Sequence, residues 1–353
     1  MNIYTDFRNE KIISSLAEKI QAYNGEPVRI MEVCGSHTDA VGKYGIRQIL
    51  PETVRLVSGP GCPVCVTDTL FIDLSLELCG KENVIICSFG DLLKVKGTEE
   101  KMLGGDDVRV VLSPLECLDI AKENPDKEVV FLSVGFETTT PVTALCIQKA
   151  KKQNIENLSF FVSNKTMPGI LEFLIENKTD MTGFLFPGHV VSAEGVSFYR
   201  DFCNRYGLKG AVCGFEPADI LASISFILYE KENFANLYSR FVSEKGNEFS
   251  KSAVNEVFEP CDTYLREIGI VKNAGLKIRD IYSLYDADRK FALGYSPKKV
   301  SKEKKCLCGE IMLGKKYPSD CPFFGNRCTP NNAVGPCMVS EEGTCAAYFK
   351  YKL

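Results

Sequence analysis

The stretch EVVFLSVGFETTTPVTAL, residues 128–145, decides the fold of this chain. It begins with a nearly continuous run of apolar and β-branched residues, which is typical of a strand buried on both faces of a parallel sheet. A Gly-Phe-Glu turn follows, and three threonines then open an amphipathic segment, as hydroxyl residues do at helix starts. The stretch therefore predicts a strand, a tight turn and a helix, which together form half of a βαβ unit.

The same pattern repeats from about residue 28 to about residue 220. Each apolar run is followed by a turn marked by Gly or Pro and then by a helix-like stretch, which indicates βαβ units with right-handed crossovers. Ligands of such sheets gather at the carboxyl ends of the strands. The predicted strands are VRIMEV (28–33), VRLVS (54–58), NVIICS (83–88), VRVVLS (108–113), EVVFLSV (128–134), SFFVS (159–163), GFLF (183–186) and GAVCGF (210–215).

The predicted fold class is α/β, with two related α/β/α domains of mainly parallel sheets and a small C-terminal Cys-rich iron–sulfur domain. We expect a first α/β domain at 1–155, a second α/β domain with following helices at 156–285, and a cluster domain at 286–353. After about residue 220 the alternation of short apolar runs and turns ends. Residues 222–242 and 249–271 are predicted to form long helical segments.

Composition excludes two classes of protein. The chain has 353 residues and a net charge of −4, whereas a nucleic-acid binder would show a basic face or stripe. No apolar run approaches the ~20 residues that a membrane helix needs. The start, MNIYTDFRNEK, has no basic-then-apolar signal region. We therefore expect a cytoplasmic protein with neither nucleic acid nor membrane as a partner.

Sixteen cysteines and only two histidines restrict the metal chemistry. In a reducing cytosol such cysteines point to metal or redox groups rather than structural disulfides. The tail after residue 305 has little core of its own, so we expect a metal to organise it. Four thiolates suit a [4Fe–4S] cluster or a structural zinc, and the long loops favour the cluster. The tail cysteines are Cys306, Cys308, Cys321, Cys328, Cys337 and Cys345.

A second cysteine motif, SGPGCPVC at residues 58–65, holds Cys62 and Cys65 on a stiff loop after a predicted strand. A pair at this spacing can bind a metal or close a disulfide, and a helix N-terminus would lower a thiol pKa there. A tight turn with two buried thiols is the remaining interpretation. The spacing alone leaves these alternatives open.

Two strand exits carry the histidines of the chain. Cys34 leaves a strand end in MEVCGSHTDA (31–40), with His37 three residues on. A thiol near an imidazole can be a nucleophile or a soft-metal ligand, although a lone strand-end cysteine is more often a packing residue. His189, in FPGHVVSAEG (186–195), is a general acid or base, a donor to an anion, or a structural histidine.

Two Gly-Phe-Glu turns place Glu137 and Glu216 at strand exits. A carboxylate there orients a ligand or caps the next helix, and the sequence favours capping. The other cysteines lie in apolar or helical surroundings and are predicted to be small core residues: Cys79, Cys87, Cys117, Cys146, Cys203, Cys213 and Cys261.

Taken together, these motifs resemble one known family. CGSHTDAV, GPGCPVCVT, VGFETTTP, FPGHVVSAEG, GFEPADIL and the tail DCPFFGNRCTPNNAVGPCMVSEEGTCAAYFKY are similar to the HypD family of [NiFe]-hydrogenase maturation factors. The resemblance runs from about residue 28 to the end of the sequence. It implies a redox-active assembly scaffold rather than a conventional turnover enzyme. On it the Fe(CN)2CO group of the hydrogenase is assembled together with HypC and HypE, with HypF acting upstream.

The resemblance also assigns residues. The family spacing C-x14-C-x6-C-x16-C selects Cys306, Cys321, Cys328 and Cys345 as ligands of one [4Fe–4S] cluster and leaves Cys308 and Cys337 unassigned. It implies that Cys34, with a HypC cysteine, holds the nascent iron that receives cyanide and CO. The pair Cys62 and Cys65 would be a redox-active dithiol, in an arrangement similar to ferredoxin:thioredoxin reductase.

Two polar residues and one departure complete the expected site. His189 and Glu216 would line the cleft between the domains, while His37 matches the imidazole of the family's first loop. Asp39 stands where the family often has a second imidazole. The sequence shows no Gly-x4-Gly-Lys-Ser/Thr nucleotide loop. The alternatives are a freestanding iron–sulfur thiol–disulfide oxidoreductase, which needs the dithiol but not Cys34, and a structural zinc-binding module.

Overall fold

The computed structural model describes residues 7–177, 179–296, 298 and 306–353. Five of its strands form one sheet in which every pairing is parallel. They are β1 (Val28–Glu32), β2 (Val54–Ser58), β7 (Gly183–Pro187), β8 (Lys209–Cys213) and β9 (Phe234–Asn236), in the order β2-β1-β7-β8-β9. Apolar side chains predominate in the inner strands of this sheet, which are largely buried, whereas its edge strand β9 is half-buried.

A second, four-stranded sheet is also wholly parallel. Its strands are β3 (Val84–Ser88), β4 (Val108–Val110), β5 (Glu128–Gly135) and β6 (Leu158–Asn164), in the order β4-β3-β5-β6. An antiparallel hairpin follows later in the chain, formed by β10 (Phe258–Leu265) and β11 (Gly269–Ile278).

The helices alternate with the strands over most of the chain, as βαβ connections require. Those of the first half are α1 (Glu10–Gln21), α2 (Gly35–Lys43), α3 (Ile46–Ile49), α4 (Pro63–Val66), α5 (Thr69–Cys79), α6 (Glu116–Glu123), α7 (Thr140–Lys152) and α8 (Met167–Glu176). Those of the second half are α9 (Gly188–Glu194), α10 (Ser197–Tyr206), α11 (Pro217–Tyr229), α12 (Glu248–Val257), α13 (Ala287–Phe291), α14 (Cys308–Met312) and α15 (Thr344–Tyr351).

The structure confirms the predicted α/β class with mainly parallel sheets. The stretch 128–145 forms β5, the Gly-Phe-Glu turn and the first part of α7. All eight predicted strands are strands, and β3 and β5 are buried along almost their whole length. The sequence reveals these strands because a strand buried on both faces needs an unbroken apolar run.

The chain divides into two compact units that are not consecutive segments. The first unit comprises residues 1–62, 174–247 and 306–353, and the second comprises 63–173 and 248–305. This division differs from the three consecutive domains predicted from the sequence. The physical reason is strand pairing: β1 pairs with β7, so the N-terminal strands and the strands after residue 183 share one sheet. The Cys-rich tail also belongs to the first unit.

The two long helical predictions after residue 220 are wrong in their extent. In 222–242 the helix ends at Tyr229 and is followed by β9. In 249–271 the helix ends at Val257, and the rest forms β10 and the turn into β11. Pro260 is incompatible with a helix interior, and Gly269 has φ 142°, which closes the turn. Among the described residues, none of the helices has the length and apolarity needed to cross a membrane.

A buried ion pair between Glu32 and Arg47 lies at the end of the first sheet, and the tail packs on it through Tyr348. The Glu32 carboxylate is fully buried; it accepts hydrogen bonds from the Arg47 guanidinium and, at 2.7 Å, from the Ser58 hydroxyl. The Tyr348 ring of α15 lies 5.1 Å from the Arg47 guanidinium carbon. Burial raises the pKa of Glu32, and the positive charge of Arg47 opposes that rise. Arg47 therefore stabilises a charge that the core would otherwise reject.

Replacing Arg47 by methionine tests this pair. We expect Arg47→Met to lower the free energy of unfolding by about 3–5 kcal/mol, because it leaves a buried carboxylate without its cation. Since the folded-state pKa of Glu32 lies above its unfolded value, its ionisation disfavours the folded state, so the loss grows as the pH rises from 5 to 8. Urea unfolding of the wild type and the variant at both pH values measures this loss in the free energy of unfolding. Lys81→Met, which breaks the exposed pair with Glu77, is the control; equal losses would contradict the prediction.

Candidate functional site

Cys34 lies where the first sheet meets α2. Two residues after β1, its backbone is extended (φ −155°, ψ 131°), and it is the N-cap of α2. Its side chain is 5% exposed, and His37 in the first turn of α2 is fully buried. The sequence places Cys34 here because the β-branched run ends at Val33 and Gly35 begins the helix.

Two glycines bring separate segments against the Cys34 backbone. A Cβ atom on Gly61 would lie 2.4 Å from both the Cα and the N of Cys34, and one on Gly35 would lie 2.1 Å from the carbonyl oxygen of Glu342. Side chains do not fit at such distances, so glycine is required for this approach. The Gly-Pro-Gly loop and the tail therefore meet at Cys34 from two directions.

Two imidazoles and a phenyl ring line the site. His189, in the first turn of α9, has its Nε2 3.9 Å from the Cys34 Sγ. The Nε2–H of His37 donates to the carbonyl of Gly214 at 2.9 Å. The Phe215 ring lies between both histidines, with centroids 4.6 Å from His37 and 5.1 Å from His189. Thus the structure brings three predicted site residues together: Cys34, His37 and His189.

Burial dominates the electrostatics of these groups. It is the main cause that raises the pKa of the Cys34 thiol to about 11, and the nearby Glu342 carboxylate contributes to that rise. Burial lowers the pKa of His37 to about 4 and also lowers that of His189. At neutral pH the site therefore holds a protonated thiol beside neutral imidazoles. A metal ion that binds the sulfur must displace its proton.

This thiol pKa gives a direct prediction for the metal-free protein. We expect the rate of Cys34 alkylation by iodoacetamide to rise about tenfold per pH unit between pH 7 and pH 10, because only the thiolate reacts. The rate should not level off below about pH 11. Peptide mass spectrometry against time measures it, and the fast, pH-independent labelling of an already ionised thiolate would contradict it.

Cys62 and Cys65 form a disulfide in the structure. Both residues are buried, and Cys62 directly follows Gly61, whose backbone touches Cys34. The stiff Gly-Pro-Gly sequence thus has a steric purpose, since it brings the backbone beside Cys62 against Cys34. Of the three interpretations that the sequence left open, the structure shows the bonded pair.

Five of the six tail sulfurs interact with one another. The Cys306 and Cys308 sulfurs are 3.2 Å apart. The pKa of Cys337 is raised mainly by a hydrogen bond with Cys308. The charge of Cys345 raises it as well. The charges of Cys306 and Cys308 contribute to raising the pKa of Cys328. The Cys328 sulfur accepts a hydrogen bond from the Val334 N–H at 3.3 Å. The tail therefore contains a compact set of soft donors.

The predicted ligand set and this sulfur group overlap without coinciding. Cys306, Cys328 and Cys345 are in the group, together with Cys308 and Cys337, which the family spacing left unassigned. Cys321 is buried and begins the turn that leads to Cys328. In this turn the Phe324 N–H donates to the Cys321 carbonyl at 3.0 Å. Across the part of the chain that the structure describes, no three His, Cys, Asp or Glu side chains are arranged to hold a metal ion.

The tail sulfurs are linked to Cys34 through the backbone. Gly343 follows Glu342, which touches Gly35, and a Cβ on Gly343 would lie 2.1 Å from the carbonyl oxygen of Cys337. The Ser36 hydroxyl donates to the Glu342 carboxylate at 3.2 Å. Sequence reasoning missed Glu342 and Phe215. Their only signal was their place within the quoted motifs, beside residues that were singled out.

Asp39 holds the last helix in place. Its carboxylate accepts hydrogen bonds from the Lys350 ammonium at 2.9 Å and from the Tyr351 hydroxyl at 3.0 Å. The residue that replaces the family's second imidazole thus fixes α15, the helix of Cys345, against α2. Here the position has a structural role that links the tail to the Cys34 helix.

The two glutamates do not cap the helices that follow them. The Glu216 carboxylate pairs with the Arg8 guanidinium at 2.5 and 2.7 Å and accepts from Tyr44 at 3.4 Å, while its own helix α11 has no side-chain cap. Glu137 accepts the Met167 N–H at 2.5 Å, so it caps α8 and not the adjacent α7. The capping prediction is wrong because tertiary partners compete for both carboxylates.

The cysteines predicted to be core residues are mostly buried. Cys79 and Cys261 are half-buried exceptions. The fully enclosed ones are Cys87, Cys117, Cys146, Cys203 and Cys213.

Comparison with known proteins defines the class. The family model for HypD, described as "Hydrogenase formation hypA family", matches residues 10–352. The chain therefore belongs to the HypD family of hydrogenase maturation factors.

Individual relatives agree along nearly the whole length. The hydrogenase maturation factor HypD of Rhodobacter capsulatus is 39% identical over 96% of this chain and 93% of its own. The Escherichia coli factor of the same name is 37% identical over 100% of this chain and 98% of its own. The hydrogenase expression/formation protein HupD of Azotobacter chroococcum is 37% identical over 99% of this chain and 97% of its own.

Proposed function

We propose that this chain is the scaffold on which the Fe(CN)2CO group of a [NiFe]-hydrogenase is assembled in the cytoplasm, together with HypC and HypE. In this reaction iron is the cargo, and Cys34 is its protein ligand. The observation that carries the proposal is the meeting of three segments at Cys34: the Gly61–Cys62 loop, the tail at Glu342, and His189 at 3.9 Å.

The residues around Cys34 suit a site that protects a soft metal ion. The sulfur is buried, so water has little access, and the adjacent imidazoles are neutral at pH 7. His189 is near enough to the sulfur to accept the thiol proton when the metal enters. Phe215 and the Gly214 carbonyl fix His37, so the pocket wall keeps its shape when iron leaves.

Cys62 and Cys65 supply the two-electron chemistry in this proposal. Closing the pair from dithiol to disulfide releases two electrons and two protons, and reopening it takes them back. Gly61 brings the backbone next to Cys62 against Cys34. Electrons released by the pair are therefore produced beside the iron ligand, and no diffusing thiol is needed.

The donor chemistry of the tail supports a resident [4Fe–4S] cluster in this proposal. Several thiols lie together, and one sulfur already accepts a backbone N–H, as cluster sulfurs do. We propose that Cys306, Cys321, Cys328 and Cys345 hold the cluster. When bound, the cluster supplies electrons one at a time. Cys308 and Cys337, which hydrogen bond to each other, form a second pair of thiols in the same group.

The test is anaerobic purification of the chain together with HypC and HypE, followed by iron analysis and infrared spectroscopy. We expect bands of iron-bound cyanide and CO, and absorption near ~400 nm from the cluster. An iron-loaded complex with Cys34 intact and no such bands would overturn the scaffold assignment. Colourless protein containing zinc and no acid-labile sulfide would overturn the cluster assignment alone.

The disulfide between Cys62 and Cys65 favours one second candidate, a freestanding thiol–disulfide oxidoreductase. That function needs the pair and not Cys34. Maturation activity that survives Cys34→Ala but is lost in Cys62→Ala would establish it in place of the scaffold.

A further inference from the structure

A cavity of about 270 Å³ lies in the second unit, remote in the chain from the Cys34 segment. Its walls come from the end of β6, the hairpin β10–β11, and the segment that runs from α13 to Tyr295. The maturation chemistry proposed above uses none of these residues.

The cavity lies along an open part of a sheet edge. On one side β6 pairs with β5 over its full length. On its other side it makes only two single bridges, Phe160 with Asp286 and Lys165 with Gly275. Between these bridges, residues 161–164 line the cavity and have no strand partner on this side in the described part of the chain. The chain thus leaves a gap of four residues in an edge that is paired at both ends.

The direction of the backbone groups follows from the alternation of a strand. The Lys165 N–H donates to the Gly135 carbonyl inside the sheet, whereas the Thr166 N–H donates outward to Ala274 at 2.9 Å. Counting back by twos, Val162 and Asn164 direct their N–H and C=O groups outward into the cavity. An unpaired row of this kind is a template for another extended chain.

The charges around the gap are mainly acidic. Lys277 pairs with Glu259 at 2.9 Å, and Arg289 with Asp280 at 2.6 Å and with Asp286 at 3.3 Å. These cations are therefore already neutralised. Asp262 and Asp288 also line the cavity, and within the described residues neither makes an ion pair. The Lys165 ammonium is fully enclosed and donates to the Ser163 carbonyl at 2.8 Å and to the Ser163 hydroxyl at 2.9 Å.

We propose that this gap binds an extended, lysine- or arginine-bearing segment of a partner polypeptide as an added strand. Val162 and Asn164 provide the backbone hydrogen bonds, and Asp262 and Asp288 select for positive side chains. At ~3.3 Å per residue, the open stretch has room for about four residues of the partner. A shift in register between Cys261 and Thr263, both in the cavity wall, places Asp262 at a bulge, the kind of irregularity that re-aims a side chain.

The probe is a fluorescein-labelled hexapeptide, Lys-Val-Lys-Val-Lys-Val, titrated with the full chain and followed by fluorescence anisotropy. We expect saturable binding, and at least about tenfold weaker binding of Glu-Val-Glu-Val-Glu-Val. Two further peptides carry N-methyl groups on the lysine or on the valine amides. Because a strand pairs with only one of its two edges, we expect one of them to lose binding and the other to keep it.

Matched variants locate the site. The double variant Asp262→Asn/Asp288→Asn should bind the lysine peptide at least about fivefold more weakly. Asp180→Asn, which removes an exposed carboxylate of the first unit, should bind as the wild type does. Circular dichroism checks that both variants are folded. Because the peptide assay does not involve iron, its outcome is independent of the maturation proposal.

Three outcomes would overturn this assignment. The first is no binding of the lysine peptide, and the second is equal loss, or none, with both N-methylated peptides. The third is at least about tenfold tighter binding of a peptide that copies the chain's own linker, residues 296–305, which would make the occupant a segment of this chain rather than a partner.

Discussion

Cys34→Ala is expected to abolish hydrogenase maturation while leaving the fold intact. The substitution removes the thiol that lies 3.9 Å from the His189 Nε2, on a residue whose backbone contacts Gly61. Since mutations of groups that merely support a metal ligand cost about 10–100-fold in affinity, we expect loss of the ligand to cost about 100-fold or more. The measurements are iron content of the purified complex with HypC and hydrogenase activity in a strain that carries only this variant.

A matched thiol separates a ligand effect from a packing effect. Cys79→Ala removes a half-buried thiol at the end of α5. We expect it to retain maturation activity, and both variants to unfold within about 2 kcal/mol of the wild type, because each removes a single small group. Iron content and activity that remain normal in Cys34→Ala would contradict the assignment of Cys34. If the Cys34→Ala variant were unfolded, Cys34 would instead have a structural role.

Gly61→Ala is expected to produce the second large effect, through the backbone. The new methyl group would lie 2.4 Å from the Cys34 Cα and N, and these are backbone atoms with little room to move. Overpacking costs about 1–3 kcal/mol, and we expect the upper end of that range because backbone atoms must move. We expect a lower free energy of unfolding and a loss of maturation activity, since the loop of Cys62 must move away from Cys34. Denaturant titration and the same activity assay measure both.

An unhindered glycine provides the control. A Cβ on Gly104 meets nothing within 4 Å, and Gly104 does not have a left-handed backbone. Gly104→Ala should therefore be neutral or slightly stabilising, by up to about 1 kcal/mol. If Gly61→Ala were as stable and as active as Gly104→Ala, the close approach of the two segments would not exist in solution.

These predictions depend on features that the sequence displayed only in part. Most of the strands were predictable because they are buried on both faces and must be apolar runs. The largely exposed β4 was recognisable instead by its β-branched residues. The two helical predictions failed where local pattern competes with tertiary context: Pro260 and Gly269 mark a hairpin, but the apolar spacing around them resembles a helix. Glu137 and Glu216 failed as caps for a similar reason, since Met167 and Arg8, distant in sequence, compete for these carboxylates.

The sequence by itself determined the parallel α/β class and the family. Those properties depend on residue type and short spacing, which a single chain displays directly. The tertiary structure decided what meets Cys34. Gly61, His189 and Glu342 come from three distant segments, and only the parallel pairing of β1 with β2 and β7, with the tail packed on α2, brings them together. Such contacts depend on which strands pair, and strand order cannot be read from local pattern because many orders bury the same apolar runs equally well.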